Sequence, residues 1–191
     1  MMMASSRQHN PNILQWDYTM GMPEDNGFER YSNGTKYSYE MTGNGLIITP
    51  SIQNYVRLNP LESSLQFFNE GILEIRVNIV SMHSGIYNGL RLILSDGEGG
   101  CHIQIRSKNG NTMFYNTTQN LYIAITNAKL RENTDYTIRI ERKQGMSYVY
   151  VDNEQVYSTD IKSTGYAKYN RIFFQEGGEY ILKSIYFEKI S

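Results

Sequence analysis

The chain has 191 residues, a formal net charge of -1 and a single cysteine, Cys101. This length suits one well-buried core and is short for two ordinary domains. The balanced charge argues against nucleic acid or an anionic membrane as a partner, and one cysteine excludes an intrachain disulfide.

The segment Met1–Asn12 is polar after three methionines, and we expect it to be a flexible arm before a single domain at residues 13–191. It lacks the apolar core of a signal peptide, and the apolar runs elsewhere are too short to span a membrane. The sequence therefore predicts a chain made in the cytoplasm. Work outside the cell would require lysis, a dedicated export route or association with a virion or similar particle.

Short strands separated by turns are predicted for the first third of the domain. Ile13–Met20 is a probable strand that carries the only tryptophan, and residues 21–35 read as a long loop rich in glycine, proline, asparagine and aspartate. Three short strands follow at residues 36–41, 46–49 and 55–58. The next stretch, residues 61–69, has room for one helical turn.

The middle of the chain shows the period-two alternation of half-buried strands. In Gly71–Val80, four aliphatic residues from Leu73 to Ile79 face one way and polar residues face the other. The same pattern predicts strands at the following ranges: Gly89–Ser95, Cys101–Lys108, Met113–Asn116 and Leu121–Ile125. Thr126–Glu132 is a second stretch that has room for a helical turn.

Thr134–Ile161 carries the strongest hairpin signal, with alternating residues broken at Gln144-Gly145 and Asp152-Asn153. Two more strands, at residues 171–175 and 180–190, close the chain. About a dozen short strands at this spacing indicate an all-β sandwich or barrel.

The order of strands and turns over roughly residues 70–190 resembles the concanavalin A-like jelly roll, in its laminin-G-like or lectin/glucanase form. The resemblance rests on a Gly-x-x-Glu-x-Arg strand at Gly71–Arg76, a Tyr-x-Tyr-x-Asp-Asn hairpin at Tyr148–Asn153 and the closing Ile-Tyr-Phe strand. It implies an all-β fold of two antiparallel sheets packed as a jelly-roll β-sandwich. In such folds the concave sheet often holds a sugar groove, and loops at one rim often hold calcium.

Catalytic signatures are weak in this sequence. Retaining glucanases of this fold carry Glu-x-Asp, which places two carboxylates about 5 Å apart, and the motif does not occur here. Cys101 alternates with Ile103 and Ile105, which favours a buried structural thiol over a nucleophile. We therefore predict no catalytic residue. Asp96 and Glu98 form a weak candidate calcium site, and turn formation is the simpler reason for acidic residues there.

A polar sheet face is the best candidate for a ligand site, because amides and aromatic rings together suit sugar hydroxyls and the apolar face of a pyranose. We expect its residues to share one face of neighbouring strands, with Tyr87, Phe114 and Tyr115 as a stacking platform. A solvated face with cross-strand ion pairs, or a face covered by a protein partner, remains the alternative. The predicted ligand-binding residues are Glu74, Arg76, Asn78, Tyr87, Arg91, His102, Gln104, Arg106 and Tyr115.

These observations predict a non-catalytic, carbohydrate-binding, lectin-like module that recognises a cell-surface glycan, for attachment as part of a phage tail or similar particle. The first alternative is a structural protein of a virion or tail-like particle, acting as a homo-oligomer or beside other particle subunits. The second is a glycoside hydrolase-like enzyme with an unrecognised site. Five tyrosines suit a subunit interface or ordinary sheet packing equally well: Tyr148, Tyr150, Tyr157, Tyr166 and Tyr169.

Overall fold

The computed structural model describes residues 10–51, 53–82, 89–105, 111–116, 121–160, 163–164, 169–175 and 177–191, with backbone alone at 111–116, 121–124, 126–127 and 163–164. Its strands are β1 Ile13–Asp17, β2 Phe28–Ser32, β3 Tyr37–Thr42, β4 Gly45–Pro50, β5 Tyr55–Pro60, β6 Gly71–Ser81, β7 Leu90–Ser95, β8 Gly99–Ile105, β9 Asn111–Asn116, β10 Leu121–Lys129, β11 Thr134–Lys143, β12 Met146–Val151, β13 Glu154–Thr159, β14 Ser163–Thr164, β15 Arg171–Gln175 and β16 Glu179–Lys189. Short 3-10 turns lie at Tyr18–Met20, Pro23–Asn26 and Ser63–Leu65.

The strands form two antiparallel sheets packed face to face, as the sequence predicted. The first sheet has the order β13-β12-β11-β6-β16-β4-β3, and β1 also pairs with β16. The second has the order β10-β9-β8-β7-β15-β5-β2, and β14 also pairs with β8. The fold is therefore an all-β jelly-roll sandwich, and each sheet combines strands from distant parts of the chain.

The core lies between the two inner faces. Leu73, Ile75, Val77 and Ile79 of β6 are fully buried there, which confirms the inward face predicted for this strand. Burying each of these side chains contributes about 1.5–3 kcal/mol relative to leaving it in water. Leu90, Ile103, Ile172 and other aliphatic residues of the second sheet pack against them. The outward side chains of both sheets are therefore the ones available for function.

Some local predictions were wrong. The first strand ends at Asp17 instead of Met20, because the Asp17 carboxylate accepts a hydrogen bond from the Thr19 amide at 2.9 Å and begins a 3-10 turn. Strand β2 lies inside the predicted loop. The stretch 126–132 does not form a helical turn, because β10 continues to Lys129 past a register shift.

The predicted arm falls mostly on residues 1–9, which lie outside the described part of the chain. Its last residues are held in place, because the Lys189 amide donates to the Asn12 carbonyl at 2.8 Å and the Ser64 hydroxyl donates to the Pro11 carbonyl at 3.2 Å. Among the described residues, no helix is long and apolar enough to cross a membrane.

Candidate functional site

The outer face of the second sheet carries a row of aromatic and polar side chains that crosses five strands in register. Strand pairing places Arg57 of β5 between Tyr31 of β2 and Phe173 of β15. It places Arg91 of β7 between Phe173 and Gln104 of β8. We call the outward side chains of these five strands the arginine face. Its central row is Tyr31, Arg57, Phe173, Arg91 and Gln104.

Aromatic rings and guanidinium groups contact one another along this row. The Arg57 Cζ atom lies 4.5 Å from the centroid of the Tyr31 ring and 5.9 Å from that of Phe173. Tyr55 meets Phe173 edge to face, with 5.5 Å between the ring centroids, and lies 6.0 Å from Tyr31. These contacts hold the guanidinium group of Arg57 beside a small aromatic platform.

A cleft of about 220 Å³ opens beside the central row. Arg171 lines it, with its Cζ atom 4.9 Å from the centroid of the Tyr169 ring. The cleft is smaller than the roughly 300–1,000 Å³ of pockets that enclose a whole drug-sized ligand, so it suits one sugar-sized group of a longer ligand. Its lining residues are Glu29, Arg57, Asn59, Gln66, Tyr169, Asn170 and Arg171.

Asn170 fixes the backbone at the edge of this cleft. Its side-chain oxygen accepts from the Ser95 amide at 2.7 Å, and its side-chain nitrogen donates to the Leu65 carbonyl at 2.8 Å. Its own amide donates to the Gln66 carbonyl at 2.6 Å. Because Asn170 is fully buried, these bonds tie the start of β15, and hence Arg171, firmly to the end of β7.

Several polar atoms of the arginine face are buried without a hydrogen-bond partner among the described residues. They are Arg57 Nε, Asn59 Oδ1, Arg171 Nε and Gln175 Oε1, which comprise two donors and two acceptors. A buried polar atom without a partner costs about 1–3 kcal/mol, so these atoms favour partners from outside the chain. Hydroxyl groups can satisfy both kinds, because a hydroxyl donates and accepts.

His102 and Gln104 are buried although they point away from the core, since they are 3% and 1% exposed. Burial, together with the smaller effect of the nearby Arg91, lowers the pKa of His102 from its ordinary value to about 3. His102 is therefore neutral near pH 7.

The structure separates the predicted site residues into two groups. Arg91, His102 and Gln104 lie together on β7 and β8 in the second sheet, whereas Glu74 and its neighbours lie on β6 in the first sheet. The prediction that all of them share one face was therefore wrong, because the two groups lie on the outer faces of opposite sheets. The residues on the first sheet are Glu74, Arg76 and Asn78.

The outer face of the first sheet resembles the alternative in which a solvated sheet face carries cross-strand ion pairs. Asp135 accepts a hydrogen bond from the Asn78 side chain at 2.8 Å and forms an ion pair with Lys183. The hydrogen bonds from Lys183 and Asn78 lower the pKa of the Asp135 carboxyl group. Glu74 lies opposite Arg139 in register. Charges of both signs thus lie side by side on this face, with an ion pair between Lys183 and Asp135.

Three predicted residues cannot be placed in either group. Tyr87 and Arg106 lie outside the described residues. Tyr115 belongs to β9, where its backbone pairs with Tyr122 of β10, and only its backbone is described. The proposed stacking platform of Tyr87, Phe114 and Tyr115 therefore stays a prediction.

Asp96 has hydrogen-bond partners within the protein, and the suggested calcium site at Asp96 and Glu98 stays a prediction. One carboxylate oxygen accepts the Glu98 and Gly99 amides at 3.1 and 3.0 Å, and the other accepts a hydrogen bond from Arg142 at 3.2 Å. Glu98 itself is exposed. Within the described residues, no three His, Cys, Asp or Glu side chains converge as a metal site. Asp96 is thus balanced by a cation from the protein.

Cys101 is completely buried in the core, as its alternation with isoleucines predicted. Burial raises the pKa of its thiol to about 12, so the thiolate needed for nucleophilic attack is scarce at neutral pH. Two of the five tyrosines considered for a subunit interface lie on different sheets. Tyr150 lies on the first sheet, where the Arg139 Cζ atom is 4.2 Å from its ring centroid, whereas Tyr169 borders the cleft on the second.

Sequence reasoning missed most of the arginine face. The strands at residues 55–58 and 171–175 were predicted, and their alternation identifies the outward residues. No local sequence pattern shows that these two strands pair with each other, or that the second of them pairs with β7. The missed residues are Tyr31, Tyr55, Arg57, Asn59, Arg171, Phe173 and Gln175.

No protein-family model and no curated protein matches this sequence. Solved structures do match the fold. A sialidase superposes with a TM-score of 0.68 at 11% identity over 95% of this chain, which corresponds to 19% of the sialidase. A carbohydrate esterase from the Shiga toxin-encoding bacteriophage phi24B matches with a TM-score of 0.62 at 12% identity, covering 96% of this chain and 99% of the esterase.

Domain 4 of AbnA, a GH43 extracellular arabinanase from Geobacillus stearothermophilus solved in complex with arabinotriose, has a TM-score of 0.61 at 13% identity. The match covers 92% of this chain and 91% of that domain. Together with the two antiparallel sheets, these likenesses define the fold as a concanavalin A-like jelly-roll β-sandwich. At this level of identity they establish the fold alone.

Proposed function

We propose that this chain is a non-catalytic carbohydrate-binding module whose site is the arginine face. The observation that carries the proposal is the set of buried donors and acceptors without protein partners beside a row of aromatic rings. A sugar satisfies both features, because its hydroxyls exchange hydrogen bonds and its CH groups pack on a ring. Among structures that share the fold, the arabinanase domain is described with a bound arabinose oligosaccharide.

The non-catalytic part of the proposal rests on the acidic residues of the face. Two-step glycoside hydrolysis requires two carboxyl groups about 5 Å apart. Among the described residues, Glu29 is the one carboxylate that lines the cleft, and its side chain accepts a hydrogen bond from Asn59 at 3.3 Å. This arrangement suits binding better than hydrolysis.

We further propose that the module serves attachment within a phage tail or similar particle. The phage esterase of the same fold supports this context. A defined complex with tail proteins in light scattering is the expected result. If the protein stays monomeric in the presence of each tail protein, that result would contradict the particle role but would not bear on the sugar site.

A glycan array followed by titration calorimetry tests the sugar site. We expect Phe173→Ala and Gln175→Ala to weaken binding of any glycan found by at least tenfold, because the first removes a ring of the central row and the second removes a buried acceptor of the face. Tyr150→Ala on the first sheet is the matched control and should leave affinity unchanged. Circular dichroism checks the fold of each variant. No bound glycan across a broad array, or equal loss in the control, would overturn the proposal.

A further inference from the structure

Three arginines on adjacent strands concentrate positive charge on the arginine face. Arg57 and Arg91 flank Phe173 in register, and Arg171 lies two residues before Phe173 on the same side of β15. With neighbouring strands about 4.8 Å apart, the Cα atoms of Arg57 and Arg91 are separated by roughly 10 Å. One ligand of a few sugar units can reach all three guanidinium groups.

The described residues of the face do not balance the charges of Arg57 and Arg171 with an ion pair. The ion pairs of the described chain lie elsewhere, between Arg30 and Glu24, Arg142 and Asp96, and Lys183 and Asp135. Glu29 borders the cleft, but it is exposed on β2 and forms no ion pair within 4 Å in the described structure. The chain as a whole has a net charge of -1, so the excess is local.

Like charges at close range also destabilise one another in this face. Burial lowers the pKa of Arg171, and Arg57 lowers it further. An anion placed between the guanidinium groups removes this repulsion and gains charge-assisted hydrogen bonds. The first sheet shows the contrast, because there Arg139 lies opposite Glu74 and Lys183 pairs with Asp135.

We propose that the arginine face selects glycans that carry an anionic group, a carboxylate or a sulfate, over neutral glycans. The proposal rests on the carbohydrate-binding function and adds its ligand class. A guanidinium group is planar and presents its N–H groups as a fork that matches two oxygens of a carboxylate or sulfate. The amide groups of Asn59 and Gln175 and the ring of Phe173 then bind the neutral part of the sugar.

Titration calorimetry with four probes tests the ligand class. The probes are oligogalacturonate as the carboxylate sugar, a κ-carrageenan oligosaccharide as a sulfated sugar without carboxylates, a neutral galacto-oligosaccharide, and polyglutamate as an anion without sugar. We expect at least one acidic glycan to bind ten or more times tighter than the neutral sugar and polyglutamate, with affinity that falls as salt rises. The tighter of the two acidic glycans identifies the anionic group.

Arginine variants then locate the site. Arg57→Gln and Arg171→Gln should each weaken binding of the acidic glycan about tenfold or more. Arg57→Lys and Arg171→Lys should retain only part of the affinity, because lysine keeps the charge but lacks the forked N–H groups of the guanidinium. Arg139→Gln, which removes an arginine stacked on Tyr150 in the first sheet, is the matched control and should bind like the parent.

Each contrary result has a distinct meaning. A neutral glycan that binds as tightly as the acidic ones, with affinity lost in Phe173→Ala, overturns the anionic selectivity and leaves the sugar site standing. Polyglutamate binding equal to that of the acidic glycans shows charge attraction alone and overturns the glycan class. Equal losses in Arg139→Gln and Arg57→Gln overturn the location. No binding of any probe or array glycan overturns both proposals.

Discussion

The ion pair between Arg142 of β11 and Asp96 after β7 joins the two sheets in the interior. Both side chains are about 5% exposed or less, and their closest atoms are 3.2 Å apart. Removing one partner of such a pair leaves an uncompensated buried charge. We predict that Arg142→Met lowers the free energy of unfolding by about 3–5 kcal/mol, measured by urea denaturation.

Three further variants complete this test: Lys183→Met, Asp96→Asn and the double variant Asp96→Asn/Arg142→Met. Lys183→Met, which breaks the more exposed pair with Asp135, is the control and should cost about 1 kcal/mol or less. The double variant Asp96→Asn/Arg142→Met should be more stable than the sum of the single changes implies, because no buried charge is left alone. Equal small losses for the buried and exposed pairs would contradict the structural role of Asp96.

His102 makes stability depend on pH. Its folded-state pKa is about 3, below the ordinary value of 6.5, because burial and Arg91 disfavour the charged ring. The folded state therefore binds fewer protons than the unfolded state between these values. We predict full stability from this residue above pH 6.5 and a loss of up to about 1.4 kcal/mol per pH unit as pH falls towards 3.

Urea denaturation between pH 5 and 7 tests the contribution of His102, since most carboxylates stay ionised over this range. The control is His102→Gln, which has no titrating ring. The stability curve of this variant should be flatter than that of the parent, whatever its absolute stability. Parallel curves would show that His102 does not set the slope.

At the residue scale, the sequence predicts which side chains of a strand point inward. The burial of Leu73 and Cys101 and the outward direction of Glu74 and Arg91 follow from alternation alone. The sequence could not predict that Glu74 and Arg91 lie on different sheets. That assignment depends on β6 pairing with β16 and β7 pairing with β15, and both partners lie near the end of the chain.

At the scale of the element, the turn between β12 and β13 depends on left-handed backbone. Asp152 and Asn153 have φ of 51° and 68°, and a two-residue turn of this kind matches the twist of a hairpin. We predict that Asn153→Gly is neutral or stabilising by up to about 1 kcal/mol, whereas Asn153→Val destabilises by about 1–2 kcal/mol. Gln155→Val, at an exposed strand position, is the control and should change little. Thermal unfolding of the three variants measures this, and equal Tm values for both valine variants would contradict it.

The strands that were predicted well are those with long alternation and strong turns, such as β6 and the hairpins from β11 to β13. Those that were missed or misread lack one of these signals. β2 has five residues and lies among glycine and asparagine, so it reads as loop. β10 contains a register shift between Ile125 and Lys129, which breaks the alternation and permits a helical reading.

At the scale of the whole molecule, the first and last strands of the described chain close the fold together. β1 pairs with β16 along its length, with Trp16 opposite Ile185, and β16 also pairs with β6 and β4. Trp16 is 1% exposed, and its ring nitrogen donates to the Gly21 carbonyl at 2.8 Å. The single tryptophan therefore reports whether the ends of the chain remain joined.

We predict that urea unfolding followed by Trp16 fluorescence coincides with unfolding followed by far-ultraviolet circular dichroism, because β1 shares one continuous core with both sheets. A second reporter provides the control: in a Trp16→Phe background, Tyr150→Trp places the probe on β12, away from β1 in the same sheet. Its transition should have the same midpoint as circular dichroism of that variant. A fluorescence transition of Trp16 at lower urea than the loss of strand structure would instead show that β1 detaches first. In that case the sandwich would be stable without the pairing of β1 with β16.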